Sequence, residues 1–228
     1  MRLLAIEAST PTASCALWRD GVVSERVCAA ERNSSETLLP AIMALLAEHQ
    51  LGLAQLDGIA FGAGPGSFTG LRVAAGITQG LAFPFDLPVA PIETLAAVAW
   101  ASGAERALAM LDARMQEIYA ATYQRQGGRL QRLGELQVGR PESLLLPAPA
   151  SGWTVCGNAW LAYPALADRL QDWSLAAPSL PMAGAIAELG SHVFADGGAL
   201  AADFAQPVYV RDKVAFTTAE RLAKGGKA

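Results

Sequence analysis

The chain has 228 residues, 52% of them hydrophobic and 17% charged. That balance excludes an intrinsically disordered chain and a coiled coil, and a chain of this length buries about 70% of its unfolded surface without needing disulfides. Seventeen Lys and Arg against 21 Asp and Glu leave a net charge of −4, which argues against a protein whose main work is to grip a nucleic-acid backbone.

The elements follow in a regular order. Residues 3–8 read as a short apolar strand that ends at the turn formers Ser9, Thr10 and Pro11. Residues 14–19 and 22–27 read as two strands joined by Asp20-Gly21, a pair suited to the positive φ angles of a type I′ hairpin turn. Asn33 and Glu36 fit a capping box, and Leu38, Leu39, Ile42, Leu45, Leu46 and His49 then recur at helical spacing, with Pro40 calling for a bend or a later start. A strand over 56–62 leads into the glycine-rich stretch Gly64-Pro65-Gly66-Ser67-Phe68-Thr69-Gly70. A helix over 69–82, a strand over 87–92 and a helix over 93–102 complete the first half.

The pattern then restarts. Strands are expected over 107–113, 118–125, 130–138 and 154–156, with helices over 159–170 and 182–196 and an extended 207–211. Strand, hairpin and helix thus occur twice. This predicts an α/β fold of two lobes, each a mixed sheet flanked by helices, divided into 1–104 and 105–228. The tail over 211–228 holds five basic and two acidic residues and reads as a solvated helix.

Much chemistry is excluded. Cys15, Cys28 and Cys156 form no CxxC pair and read as buried thiols in a reducing cytosol. No signal-peptide pattern opens the sequence, and the most apolar stretch, 81–101, is cut by prolines and acids, so no membrane span is expected. The first 212 residues contain no lysine, which removes a Walker A lysine, a Ser-Lys dyad and a Schiff-base lysine from the body of the chain. His49 and His192 stand in no metal-ligand pair and read as structural. Trp153, Trp160, Trp173 and Tyr163 read as core or rim residues rather than a base-stacking platform.

Two stretches are candidates for function. The glycine-rich turn is neither GxxxxGK[ST] nor GxGxxG nor GxSxG. It is either a structural turn or an anion site at a helix N-terminus, with Ser9, Thr10, Gly64, Gly66 and Ser67 as the candidate contacts. The helix behind it is rich in small residues, Gly76 and Gly80 among them. These either pack onto its own sheet or meet a helix of another chain. Asp112 either holds a metal–nucleotide or pairs with Arg114, and Glu7 poses the same question at the end of the first strand.

Several segments together resemble the bacterial TsaB (YeaZ) family. They are Leu3-Leu4-Ala5-Ile6-Glu7-Ala8-Ser9-Thr10; the run from Gly62 through Gly64-Pro65-Gly66-Ser67-Phe68-Thr69-Gly70-Leu71-Arg72; Gly76-Ile77-Thr78-Gln79-Gly80-Leu81-Ala82; Leu111-Asp112-Ala113-Arg114 with Glu117-Ile118-Tyr119-Ala120; and Pro207-Val208-Tyr209-Val210-Arg211. The resemblance implies an actin-like (ribonuclease H-like) fold. It implies a part in making N6-threonylcarbamoyladenosine at position 37 of tRNAs that read codons beginning with A, beside the transferase subunit TsaD and the ATPase TsaE, with threonylcarbamoyl-adenylate supplied by a separate enzyme.

TsaB-like chains look like degenerate relatives of TsaD. Here the two histidines of the TsaD metal motif HxxxH fall on Thr94 and Val98, and valine cannot ligate a metal. Glu7 stands where aspartate is common and Ser34 where many relatives have histidine. The resulting expectation is a cytoplasmic, non-catalytic scaffold subunit with no metal and no resident cofactor; ATP or ADP at a subunit interface is left open. Its interface is expected to use Leu38, Ile42, Leu71, Arg72, Ala75, Gly76 and Gly80, which would pair with TsaD or, in the isolated chain, with a second copy. Any tRNA contact would be made through the complex or the basic tail. The competing reading is an active actin-like ATPase or a peptidase-like enzyme.

Overall fold

The computed structural model describes residues 1–28 and 34–210. The Asn33 half of the expected capping box and the tail over 211–228 lie outside the described residues.

The first sheet has five strands in the order β3-β2-β1-β4-β5. Strands β1 (Arg2–Glu7), β2 (Ser14–Arg19) and β3 (Val22–Val27) form an antiparallel meander, and β4 (Gly58–Gly64) and β5 (Val89–Glu93) extend it in parallel from β1. Asp20 and Gly21 take φ of 51° and 89°, the left-handed values that an Asp-Gly hairpin turn requires.

The second sheet repeats this plan. Strands β6 (Arg106–Asp112), β7 (Ile118–Gln126) and β8 (Arg129–Gly139) form the meander, and β9 (Thr154–Gly157) and the two-residue β10 (Ser174–Leu175) add in parallel from β6, giving β10-β9-β6-β7-β8. The duplication read from element order is therefore a duplication of topology.

Helices α1 (Ser34–Glu48) and α2 (Phe68–Ala82) cover one face of the first sheet through Leu38, Ile42, Leu45, Leu46, Ala74 and Ala75. Pro40 lies inside α1 on its exposed side, where the missing N–H costs least. Helix α3 (Thr94–Ala101) has the sequence TLAAVAWA, apolar on every side. Such a helix belongs in an interior, and α3 packs against β4, β5 and one further helix on one side and β6 to β9 on the other.

Polar contacts reinforce that junction. Arg125 Nη2 donates to the Trp100 carbonyl at 2.7 Å, and its guanidinium lies 3.9 Å from the Trp100 ring centre. The Glu93 carboxylate accepts from Tyr123 and from Arg132.

The expected helix over 159–170 is two, α4 (Ala159–Ala162) and α5 (Pro164–Arg169), because Pro164 holds the preceding Tyr163 extended at φ −131°. The last helix, α6 (Ala183–Ala195), belongs by sequence to the 105–228 span but packs on the first sheet, against β1, β2, β4 and β5. Its contact is close: a Cβ on Gly190 would lie 2.5 Å from the Ala60 Cβ. Cys15, Cys28 and Cys156 are free and buried, and burial pushes the Cys15 and Cys156 thiols up to about 12.

Gly190→Leu is expected to lift α6 from the sheet and cost about 3 kcal/mol, an overpacking penalty at the top of the usual range. Urea unfolding measures it. An unchanged midpoint would refute the close contact.

Candidate functional site

The turn after β1, the glycine-rich turn, the end of β6 and the extended segment over 207–210 surround a cleft of about 680 Å³. Of the candidate anion contacts, Ser9, Thr10, Gly66 and Ser67 line it, as does Ser34; Gly64 does not.

Each glycine of the turn has a packing reason. A Cβ on Gly66 would lie 2.5 Å from the Ser9 Cβ, and one on Gly70 would lie 1.8 Å from the Ala8 carbonyl oxygen. Gly64 has φ +123° and faces the backbone of Val208, whose N–H donates to the Ala63 carbonyl at 2.7 Å. Gly64 is thus the seat of the 207–210 segment, not a wall of the cleft. Ser67 ties the parts together: its N–H donates to the Ser9 carbonyl at 2.7 Å, and its Oγ caps α2 by accepting from the Gly70 N–H at 3.4 Å.

The two strand-end carboxylates turn back onto their own chain. Glu7 is fully buried, and its Oε1 accepts the Ser9 N–H. Its Oε2 has no hydrogen-bond partner and occupies the space a Cβ on Gly62 would fill, 1.9 Å away. Burial pushes the Glu7 carboxyl up to about 7, and the hydrogen bonds from Ser9 offset this only in part. Asp112 Oδ1 accepts from Arg114 N–H at 2.8 Å and from the Tyr163 hydroxyl at 2.6 Å, and Oδ2 lies 3.4 Å from the Arg114 guanidinium.

The structure shows the Asp112–Arg114 ion pair. Arg114, Met115 and Gln116 all take left-handed φ, 60°, 56° and 64°, in a tight loop closed by the bond from Ala113 N–H to the Glu117 carbonyl. Such a run of non-glycine residues costs about 1 kcal/mol or more apiece and persists only where neighbours enforce it.

The positions of the TsaD histidines do structural work here. Thr94 is buried and donates to the Pro65 carbonyl, bracing the glycine-rich turn, and Val98 is buried against the second sheet. Among the described residues no three His, Cys, Asp or Glu side chains gather where they could hold a metal. His192 is half-buried with its ring edge-on to Trp100. Trp153 and Trp160 are buried, and Arg106 stacks over the Trp153 ring.

The expected interface needs correction. Leu38, Ile42, Leu71 and Ala75 are the inner face of their helices and are buried in the chain's own core. Only Arg72, Gly76 and Gly80 of the expected set are exposed. Leu39 and Met43, which the sequence reading left out of the interface, are 42% and 49% exposed on α1. The helical period that marks one face as core assigns the other face to solvent, so their position was available in the pattern. Arg72 is already engaged: its Nε donates to the Tyr209 hydroxyl at 3.0 Å and its guanidinium lies 3.9 Å from the Phe68 ring centre.

A carboxyl raised in the fold to about 7 from an ordinary 4.5 favours folding when protonated, so its contribution falls as pH rises through that window. The stability of the wild type relative to Glu7→Gln is expected to drop by about 3 kcal/mol between pH 4.5 and 8, read by urea unfolding across pH. A pH-independent difference would show that Glu7 is not held this way.

A family model described as TsaD, tRNA N6-adenosine threonylcarbamoyltransferase, matches residues 15–219. The chain is 36% identical to the tRNA threonylcarbamoyladenosine biosynthesis protein TsaB of Escherichia coli K12, over 95% of this chain and 97% of that one. It is 37% identical to the protein of the same description from Haemophilus influenzae, over 94% and 95%. The solved structure of YeaZ from Pseudomonas aeruginosa superposes with a TM-score of 0.83 at 36% identity, covering 92% of this chain and 99% of that one. With the paired five-stranded sheets, these likenesses establish the two-lobed, actin-like α/β fold. The chain belongs to the TsaB (YeaZ) family of tRNA threonylcarbamoyladenosine biosynthesis proteins, within the wider TsaD family.

Proposed function

We propose that this chain is a non-catalytic scaffold and activator subunit. It works in the cytoplasm with a TsaD-type transferase and the ATPase TsaE to form N6-threonylcarbamoyladenosine at position 37 of tRNAs reading codons that begin with A. The observation that carries this reading is the outer face of α2. A Cβ on Gly76 or Gly80 would meet nothing within 4 Å. Packing on the chain's own sheet therefore does not account for these two glycines, although each costs a helix about 1 kcal/mol relative to alanine. Close approach of another chain's helix does account for them, and the exposed Leu39 and Met43 on neighbouring α1 supply apolar area to the same contact.

The cleft supports the non-catalytic half of the proposal. Its lining carboxylate, Asp112, is engaged by Arg114 and Tyr163, the buried Glu7 behind it accepts from Ser9, and the positions of the TsaD histidines brace the fold. Ser9, Gly66 and Ser67 then shape the helix start, Thr10 donates to the Thr12 carbonyl, and no resident cofactor is assigned to them. A nucleotide held between subunits is compatible with this assignment, and tRNA is reached through the complex.

Gly76→Leu is expected to separate partner binding from folding. The isolated chain should be as stable as the wild type or up to about 1 kcal/mol more stable, because a helix glycine is removed into open space. Affinity for the TsaD-type subunit should fall by at least about a hundredfold, and tRNA modification by the reconstituted three-protein system should fall with it. Undiminished pairing would overturn the interface. Purified chain alone should not hydrolyse ATP; turnover abolished by Asp112→Asn would establish the ATPase reading instead.

A further inference from the structure

The C-terminal end of α2 leaves aromatic rings in solvent. Phe83 is 71% exposed and Phe85 44%, both in the 3-10 turn Phe83–Phe85 that follows the helix; Phe204 is 59% exposed in the turn Ala202–Phe204. The backbone brings the two turns to one corner. The first leads into β5, whose Val89 exchanges both main-chain hydrogen bonds with Leu200, at 2.7 and 2.8 Å, and the second packs on α2. Large apolar side chains clustered in water favour association over solubility.

The charged side chains on the two turns have one sign. Asp86 and Asp203 are exposed next to the phenylalanines in sequence, and residues 73–92 and 198–210, which include both turns, contain no lysine or arginine.

We infer that this corner docks a partner segment that presents a bulky apolar side chain flanked by arginine or lysine. A second copy of the chain fits it poorly, since a two-fold contact would set carboxylates against carboxylates. The corner also continues the face argued above, because Gly76, Gly80 and Phe83 recur at i, i+4 and i+7 on α2. The glycines allow close approach, and the phenylalanines then act as anchors at its end. The identity of the partner as the TsaD-type subunit rests on the proposed scaffold role; the chemistry of the segment does not.

Two variants test this by calorimetric titration against the purified TsaD-type subunit, with sedimentation of each variant alone. Phe83→Ser/Phe85→Ser should weaken binding by about tenfold or more. Asp86→Asn/Asp203→Asn keeps a residue that tolerates the left-handed φ of 51° at position 86. It should weaken binding severalfold at about 0.05 M salt and hardly at all at about 0.5 M. Neither should change the thermal midpoint of the isolated chain. If both bind as tightly as the wild type while Gly76→Leu does not bind, the corner is no docking point and the scaffold interface stands. If the wild type fails to bind, the scaffold role falls and takes the partner assignment with it. If the phenylalanine variant instead shifts the chain's own monomer–dimer balance, the occupant is a second copy and the inference is overturned.

Discussion

The placement of α2 depends on one close contact, that of Gly70 with the carbonyl of Ala8. There is no room for a methyl group between them. With Gly66 set against Ser9 in the same way, the start of the helix is pressed onto the end of β1. The outward face of α2, the position of Ser67 as its cap and the line of the cleft all follow from that approach. The glycines read from sequence as a possible anion cradle are first of all a condition for backbone to meet backbone.

The groups around the cleft are likewise tied to their own chain. A buried carboxylate is costly unless something compensates it. In this chain Glu7 turns under the loop it holds, and Asp112 is shared between a backbone amide and a tyrosine. Thr94 acts as a strut to the Pro65 carbonyl. These contacts act as internal braces that tie the walls of the cleft to each other.

Local rules made much of this legible in the sequence. The Asp20-Gly21 hairpin, the doubled order of elements and the helix following Ser67 could all be read from turn chemistry and periodicity. The break at Pro164 was equally available, since the proline restricts the residue before it. What escaped depends on contacts distant along the chain. Tyr163 meets Asp112 from 51 residues away, and the Val208 backbone settles on Gly64 from the far end of the chain. No pattern within a helix or strand carries such pairings. The interface residues failed for a different reason: Leu38 and Ile42 are apolar because they are core, and the exposed apolar side chains of this helix lie about a third of a turn away at Leu39 and Met43.

The return of α6 to the first sheet has a consequence for synthesis. Ala5, Ala16, Ala60 and Ala90 line the face that this helix covers, and they emerge from the ribosome long before residues 183–195 do. The sheet of the amino-terminal lobe therefore stays bare on one side until the helix over 183–195 has been made. During that interval the alanine-lined surface is open to association with other growing or misfolded chains.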